Sequence, residues 1–147
     1  MRPVTRCQVV RQYTYAYAAV DPQEGEMDSL ILPDMYADVF SVFLAELSTR
    51  HPDDLIVMVF DGAPCHRAGT LTVPANIRLV PLPPYSAELN PIEHLWDEAR
   101  EKYFWNETFP SMTAVRSTLV TALRKLEEDR PKLISMMLFP WIKHALC

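Results

Sequence analysis

The chain has 147 residues, of which 49% are hydrophobic and 10% aromatic, so it can build one domain with a substantial core and is not disordered. Its net charge of -5 excludes a protein whose whole surface is a basic nucleic-acid platform, although a local basic stripe remains compatible. Three cysteines without a CxxC pair exclude a disulfide framework and a zinc cage, and they favour the reducing cytoplasm. No apolar leader opens the chain, and the apolar stretch from Leu133 to Ile142 is short and interrupted, so neither secretion nor a membrane span is expected.

The first third of the chain predicts a β-hairpin followed by a helix. Aromatic and β-branched residues dominate Val9 to Val20, a turn sequence covers Asp21 to Gly25, and a shorter apolar run covers Leu30 to Leu32. Pro33-Asp34 then predicts the opening of a helix that ends by His51-Pro52. The expected apolar face of this helix consists of Met35, Val39, Phe40, Phe43, Leu44 and Leu47.

Two further strands are predicted before the next helix. The run from Leu55 to Phe60 is apolar without alternation, as in a central strand covered on both faces, and Asp61 stands at its C-terminal end. After a loop, Ile77 to Leu82 predicts another strand, which Pro83-Pro84 stops.

Asn90 at the N-cap and Pro91 at the first helical position predict the next helix, and a last helix is expected from near Ser111 toward Asp129-Arg130-Pro131. The three tryptophans are expected to be core residues. The order of elements, with an acid ending one strand and another opening the following helix, places the chain in the α/β class.

Asp61 and Glu93 are the residues best placed for chemistry. Ligands of α/β proteins bind outside the carboxyl ends of strands, where Asp61 is expected, although an Asp after an apolar run is often a turn former or cap. Glu93 follows Asn90 by three residues, so it could close a capping box on the helix. Alternatively, it projects toward Asp61, and the two carboxylates supply the oxygen ligands that Mg²⁺ prefers.

Cys65-His66 invites a thiol-nucleophile hypothesis, but neighbours in sequence rarely face one another and no third orienting residue is evident. His66 is better interpreted as a residue near the metal site. The other histidines, His51, His94 and His144, share no spacing typical of zinc ligands, so surface or cap positions are expected for them.

The run from Val57 to Trp96 resembles the second and third catalytic blocks of the IS630/Tc1-mariner transposases. In that family an apolar strand ends in Asp, a His follows nearby, and a second strand leads into a PPYSPxLNPIExxW segment. Here the corresponding residues are Asp61, His66 and the sequence PPYSAELNPIEHLW at 83–96. Arg2-Pro3 and the hairpin sequence are similar to earlier family segments, so the resemblance extends over nearly the whole chain.

The resemblance implies a single DDE endonuclease domain over residues 1–147 with an RNase H-like fold, a mixed sheet flanked by helices. It implies that Asp61 and Glu93 are catalytic ligands of Mg²⁺ or Mn²⁺ for DNA strand cleavage and transfer. His66 and Asn90 would help to position phosphate or water, and the ends of a transposon would be the DNA partner. A cytoplasmic protein without a membrane partner is expected.

The first catalytic Asp of the family has no counterpart in this sequence, because that residue lies on a strand upstream of the segment where this chain begins. The domain is therefore expected to be N-terminally truncated and to lack the first strand. Asp21 and Asp28 fall in the predicted hairpin turn, away from the first ligand's place. We expect either that Thr5 to Val10 fill the missing strand or that a second chain pairs there, in a homodimer or with a complementing N-terminal chain.

Two other functions stay open from the sequence. The chain could be a non-catalytic remnant or split-gene product that acts as a folded, possibly oligomeric, interaction domain. It could also be a binding module whose apolar tail from Leu133 to Ile142 forms an interface, although burial of that tail in the core is favoured.

Overall fold

A computed structural model describes residues 12–34, 36–61 and 69–146 of the chain, and these form four strands and five α-helices. The strands are β1 (Tyr15–Val20), β2 (Met27–Leu32), β3 (Ile56–Phe60) and β4 (Ile77–Pro81). The α-helices are α1 (Ala37–Arg50), α2 (Ile92–Ala99), α3 (Met112–Glu128), α4 (Arg130–Met137) and α5 (Pro140–Ala145). A 3-10 turn covers Ala87–Leu89, and a π-helical segment, Arg100–Phe104, continues α2. The mixed α/β class is confirmed, but two helices follow the one that was expected to be last.

The predicted hairpin is confirmed, since β1 and β2 pair antiparallel from Tyr15 opposite Leu32 to Val20 opposite Met27. Asp21 stabilises the turn with hydrogen bonds from its backbone and to its side chain. Its N–H donates to Glu26 O at 2.8 Å, and its Oδ1 accepts from the backbone N–H of Gln23 at 2.8 Å. The Asp21 side chain thus has a structural use in the turn.

Gly25 is required at the end of this turn for two separate reasons. Its φ of 67° lies in the left-handed region, which side chains with a Cβ rarely adopt. A Cβ at this position would also lie 2.7 Å from the backbone oxygen of Arg130, at the start of α4. The turn therefore fits against α4 only with glycine.

The hairpin lies between two hydrophobic cores because successive residues of each strand point to opposite faces. One face, including Tyr17 and Leu30, packs on the first core, which α1 shares with β3 and β4. The buried residues of this core are Phe40, Phe43, Leu44, Leu47 and Ile77. The first four belong to the predicted apolar face of α1, which is confirmed at these positions, whereas Met35 lies outside the described residues.

The other face of the hairpin packs on a second core built with α2, α3 and α4. Ala16, Ala18 and Ile31 contribute from the strands. The buried residues are Met27, Leu95, Ala99, Leu123, Leu126, Leu133 and Met137. Because Leu133 and Met137 are buried here, the expected core position of the C-terminal apolar tail is confirmed at these residues.

Strands β3 and β4 form a parallel pair with Phe60 opposite Pro81. The prediction that β3 is covered on both faces is wrong. Its residues alternate, with Ile56 and Met58 packed on the first core and Val57 60% exposed. The reason is that α1 covers one face of the pair, and no other described helix covers the second. The core position expected of Trp105 is also wrong, since its side chain is 77% exposed.

Within residues 12–34, 36–61 and 69–146, the strands form two separate two-stranded sheets that both contact α1. This arrangement is consistent with an RNase H-like domain. Thr5 to Val10, which were expected to fill the place of the first strand, lie outside the described residues. No helix in the described ranges is long and apolar enough to cross a membrane.

A polar cluster joins β2 to the end of α1. His51 Nε2 lies 2.6 Å from Asp28 Oδ2, and Arg50 lies 3.3 Å from Asp28 Oδ1. The hydrogen bond with Asp28, with further attraction from Asp28, Asp54 and Glu26, raises the pKa of His51 against the opposing effect of burial. Asp28 lies on β2 and not in the turn, where it was expected. Its carboxylate joins β2 to the end of α1 through Arg50 and His51.

We predict that Gly25→Ala lowers the free energy of unfolding by about 1–3 kcal/mol, because it combines a strained φ with a backbone clash. Urea denaturation measures this difference. Gly69→Ala is the matched control, since an added Cβ there meets nothing within 4 Å and the change should cost little. Equal effects of the two substitutions would contradict the account of the turn.

We predict that the His51–Asp28 interaction stabilises the fold more at low pH than at high pH. The folded-state pKa of His51 is raised, so its contribution is fully present below the ordinary histidine pKa and is lost as pH rises through the raised value. His51→Gln should therefore cost about 1 kcal/mol near pH 5.5 and less near pH 8.5, as measured by urea denaturation. His144→Gln, at an exposed position in α5, is the control, and a cost independent of pH would contradict the prediction.

Candidate functional site

Asp61 directly follows β3, as predicted, and its side chain is half-buried. The C-terminal ends of β3 and β4 lie at one edge, because the two strands are parallel. The N–H of Leu82 donates to Phe60 O at 2.8 Å, so the pairing extends to the residue before Asp61. The backbone that carries this carboxylate is thereby fixed by the strand pair.

The segment from Pro83 to Leu89 leads from this edge to α2 and contains a residue that the sequence analysis missed. Tyr85 has a φ of 56°, in the left-handed region, and its side chain is fully exposed. Neither property has a signal in the sequence, since Gly and Asn are the residues usually found at such a φ. An exposed aromatic ring on strained backbone is the kind of feature that occurs at binding sites.

Asn90 caps α2, as predicted. Its Oδ1 accepts from the backbone N–H of Ile92 at 3.3 Å, and Pro91 between them has helical dihedral angles. The regular helix begins at Ile92, one residue later than expected. Asn90 therefore fixes the start of the helix that presents Glu93.

Glu93 is exposed in the first turn of α2. The capping-box alternative requires its carboxylate to bind the backbone N–H of Asn90. That N–H instead donates to Ala87 O at 3.0 Å, within the 3-10 turn. The geometry therefore favours a carboxylate directed to solvent or to a ligand over a cap.

The donor chemistry of Asp61 and Glu93 fits a hard divalent cation such as Mg²⁺ or Mn²⁺, because both supply carboxylate oxygens. The number of donors is small. Among the described residues, no group of three His, Cys, Asp or Glu side chains could hold a metal ion. His66 and Cys65 lie outside the described residues, and Asp21 and Asp28 are bonded elsewhere.

Comparisons with known proteins agree with the motif. The family model described as DDE superfamily endonuclease matches residues 2–116, a range that contains both carboxylates. The uncharacterized protein y4pE/y4sA of Sinorhizobium fredii (strain NBRC 101917 / NGR234) is 32% identical over 130 residues, which cover 88% of this chain and 96% of that protein. No solved structure matches the chain significantly. The chain, with Asp61 after its parallel strand and Glu93 at the start of α2, belongs to the DDE superfamily of endonucleases.

Proposed function

We propose that this chain is the endonuclease domain of a transposase of the IS630/Tc1-mariner kind, which cleaves and transfers DNA strands at transposon ends in the cytoplasm. One observation carries the proposal: the family match spans Asp61 and Glu93, and the fold leaves both at element ends. Asp61 follows strand β3 and Glu93 is exposed in the first turn of α2, so neither side chain is buried in a hydrophobic core.

In this proposal Asp61 and Glu93 together hold Mg²⁺ or Mn²⁺. When bound there, the ion would supply Lewis-acid chemistry for a water or 3′-hydroxyl nucleophile and for the leaving oxygen of a phosphodiester. The positive charge of the ion would also offset the repulsion of the Asp61 and Glu93 carboxylates by the DNA phosphates. The oxygen of the Asn90 amide is used by the cap, so its nitrogen is the atom that would donate to a phosphate. His66 is the second auxiliary residue that we propose, for phosphate or water.

A third carboxylate is needed for a two-metal site of the family's kind, and we propose that another chain supplies it. A second copy or a complementing N-terminal chain could add its strand beside the two-stranded sheets. The exposed apolar face of the parallel pair, formed by Val57, Val59 and Val80, supports a partner at this end of the molecule. Pairing with a second chain would reduce the exposed area of these three valines.

The second candidate function is that of a folded transposase remnant without turnover, which acts as an interaction domain. The observation that favours it is the lack of a three-residue metal-binding group among the described residues. Two carboxylates bind one metal weakly and two metals more weakly still.

We predict that Asp61→Asn and Glu93→Gln each weaken Mn²⁺ binding and plasmid nicking by more than about 100-fold, since loss of a direct ligand exceeds the cost of losing an outer-shell partner. Calorimetry measures binding, and relaxation of supercoiled plasmid measures nicking. The matched controls are Asp53→Asn, before β3, and Glu101→Gln, in the π-helical segment, both at exposed positions. They should behave as the unchanged protein.

The same experiment distinguishes the two functions. If the site is completed by a second copy, nicking per chain should rise with protein concentration and should disappear in both carboxylate variants. A remnant would show no nicking at any concentration. Nicking that survives both substitutions would contradict the assignment of the site.

A further inference from the structure

Trp141 of α5 reaches back across the sequence to the segment that carries Asn90 and Glu93. Its indole Nε1–H donates to the backbone oxygen of Leu89 at 3.2 Å. Leu89 is the last residue of the 3-10 turn, and Asn90, the cap of α2, follows it directly. The bond therefore fixes the chain four residues before Glu93.

A second contact from the same short stretch falls on the other side of Glu93. The rings of Phe139 and His94 meet edge to face, with centroids 5.3 Å apart and planes at 83°. Such aromatic pairs contribute a modest stabilisation and a defined geometry. The capped first turn of α2 thus lies between two contacts from this stretch. Trp141 contacts Leu89 before the turn, and Phe139 contacts His94 after Glu93.

The support that makes these contacts is itself anchored. The N–H of Phe139 donates to Met137 O at 2.9 Å, which fixes the tight junction between α4 and α5. Met137 and Leu133 are buried in the second core. The position of α5 therefore follows from the packing of α4.

Glu93 needs such support because its own side chain has none. In the described part of the chain, no hydrogen bond or ion pair holds its exposed carboxylate. Its position depends on the backbone of a helix terminus, which is the part of a helix that frays most readily. A metal ligand must be held within about 0.5 Å of its productive place.

We propose that Trp141 is a positioning residue for the metal site. Its indole hydrogen bond to Leu89 O, together with the adjacent contact between Phe139 and His94, holds the first turn of α2 in place. The inference rests on the proposed function, since it assigns Trp141 a role toward the carboxylate of Glu93. A purely structural role for this tryptophan would satisfy its N–H without any effect on metal affinity.

The test is Trp141→Phe, which keeps an aromatic ring and removes the N–H. We expect the variant to fold with a midpoint of urea unfolding lowered no more than the loss of one hydrogen bond explains, and an apparent Mn²⁺ dissociation constant raised about three- to tenfold. Hydrogen exchange at the amides of Glu93 and His94, which donate to Asn90 O and Pro91 O, should accelerate. Trp105→Phe, at an exposed tryptophan, is the matched control and should change none of these.

Unchanged Mn²⁺ affinity in Trp141→Phe would overturn the inference, whatever the exchange rates show. If that variant does not fold, Trp141→Leu also removes the indole N–H and carries the same expected direction and the same overturning result. Glu93→Gln is titrated in parallel. Affinity that falls in Glu93→Gln but not in Trp141→Phe overturns only the positioning role, whereas affinity unaffected by Glu93→Gln overturns the proposed site itself.

Discussion

The fold depends on the alternation of side chains along one β-hairpin. Strand residues of β1 and β2 enter two different cores, one built on α1 with β3 and β4, the other on α2, α3 and α4. A shift of one residue in the pairing would exchange the two faces and disrupt both cores together. At the end of the same hairpin, Gly25 lies so close to the backbone of Arg130 that the turn packs against α4 without room for a Cβ.

The two carboxylates of the candidate site are carried by elements that pack in different cores. Asp61 follows β3, whose inward residues belong to the first core, and Glu93 opens α2, whose Leu95 belongs to the second. The chain between these two elements runs through β4 and the 3-10 turn. The geometry of the site is therefore a consequence of how the hairpin joins the cores and of how the connecting segment is held.

Much of the local structure could be predicted from the sequence, because it depends on short-range physics. The turn at Asp21, the apolar face of α1 and the cap at Asn90 each follow from residue types at fixed spacings. The helix boundary after α3 was less predictable. Asp129 ends α3, but its side chain also accepts from the N–H of Lys132, so the sequence expected to stop one helix starts the next.

Other features depend on tertiary structure that no local pattern encodes. The apolar run of β3 predicts burial on both faces, yet Val57 is exposed because burial requires a second layer, which the described residues do not place there. The exposure of Trp105 and the left-handed backbone of Tyr85 likewise have no signal in the local sequence. For the site, sequence resemblance identified Asp61 and Glu93, whereas the contact of Trp141 with Leu89 joins residues far apart in the chain and required the fold.

We propose that Asp61 and Glu93 bind one metal ion, and paramagnetic line broadening would reveal such a shared site. Substoichiometric Mn²⁺ is added to the isotopically labelled 16.9 kDa protein while backbone amide resonances are recorded. We expect the resonances around Asp61 and those of Asn90 and Ile92 to His94 to broaden together, and either Asp61→Asn or Glu93→Gln to remove both effects. Broadening at one of the two segments alone, or at neither, would contradict it.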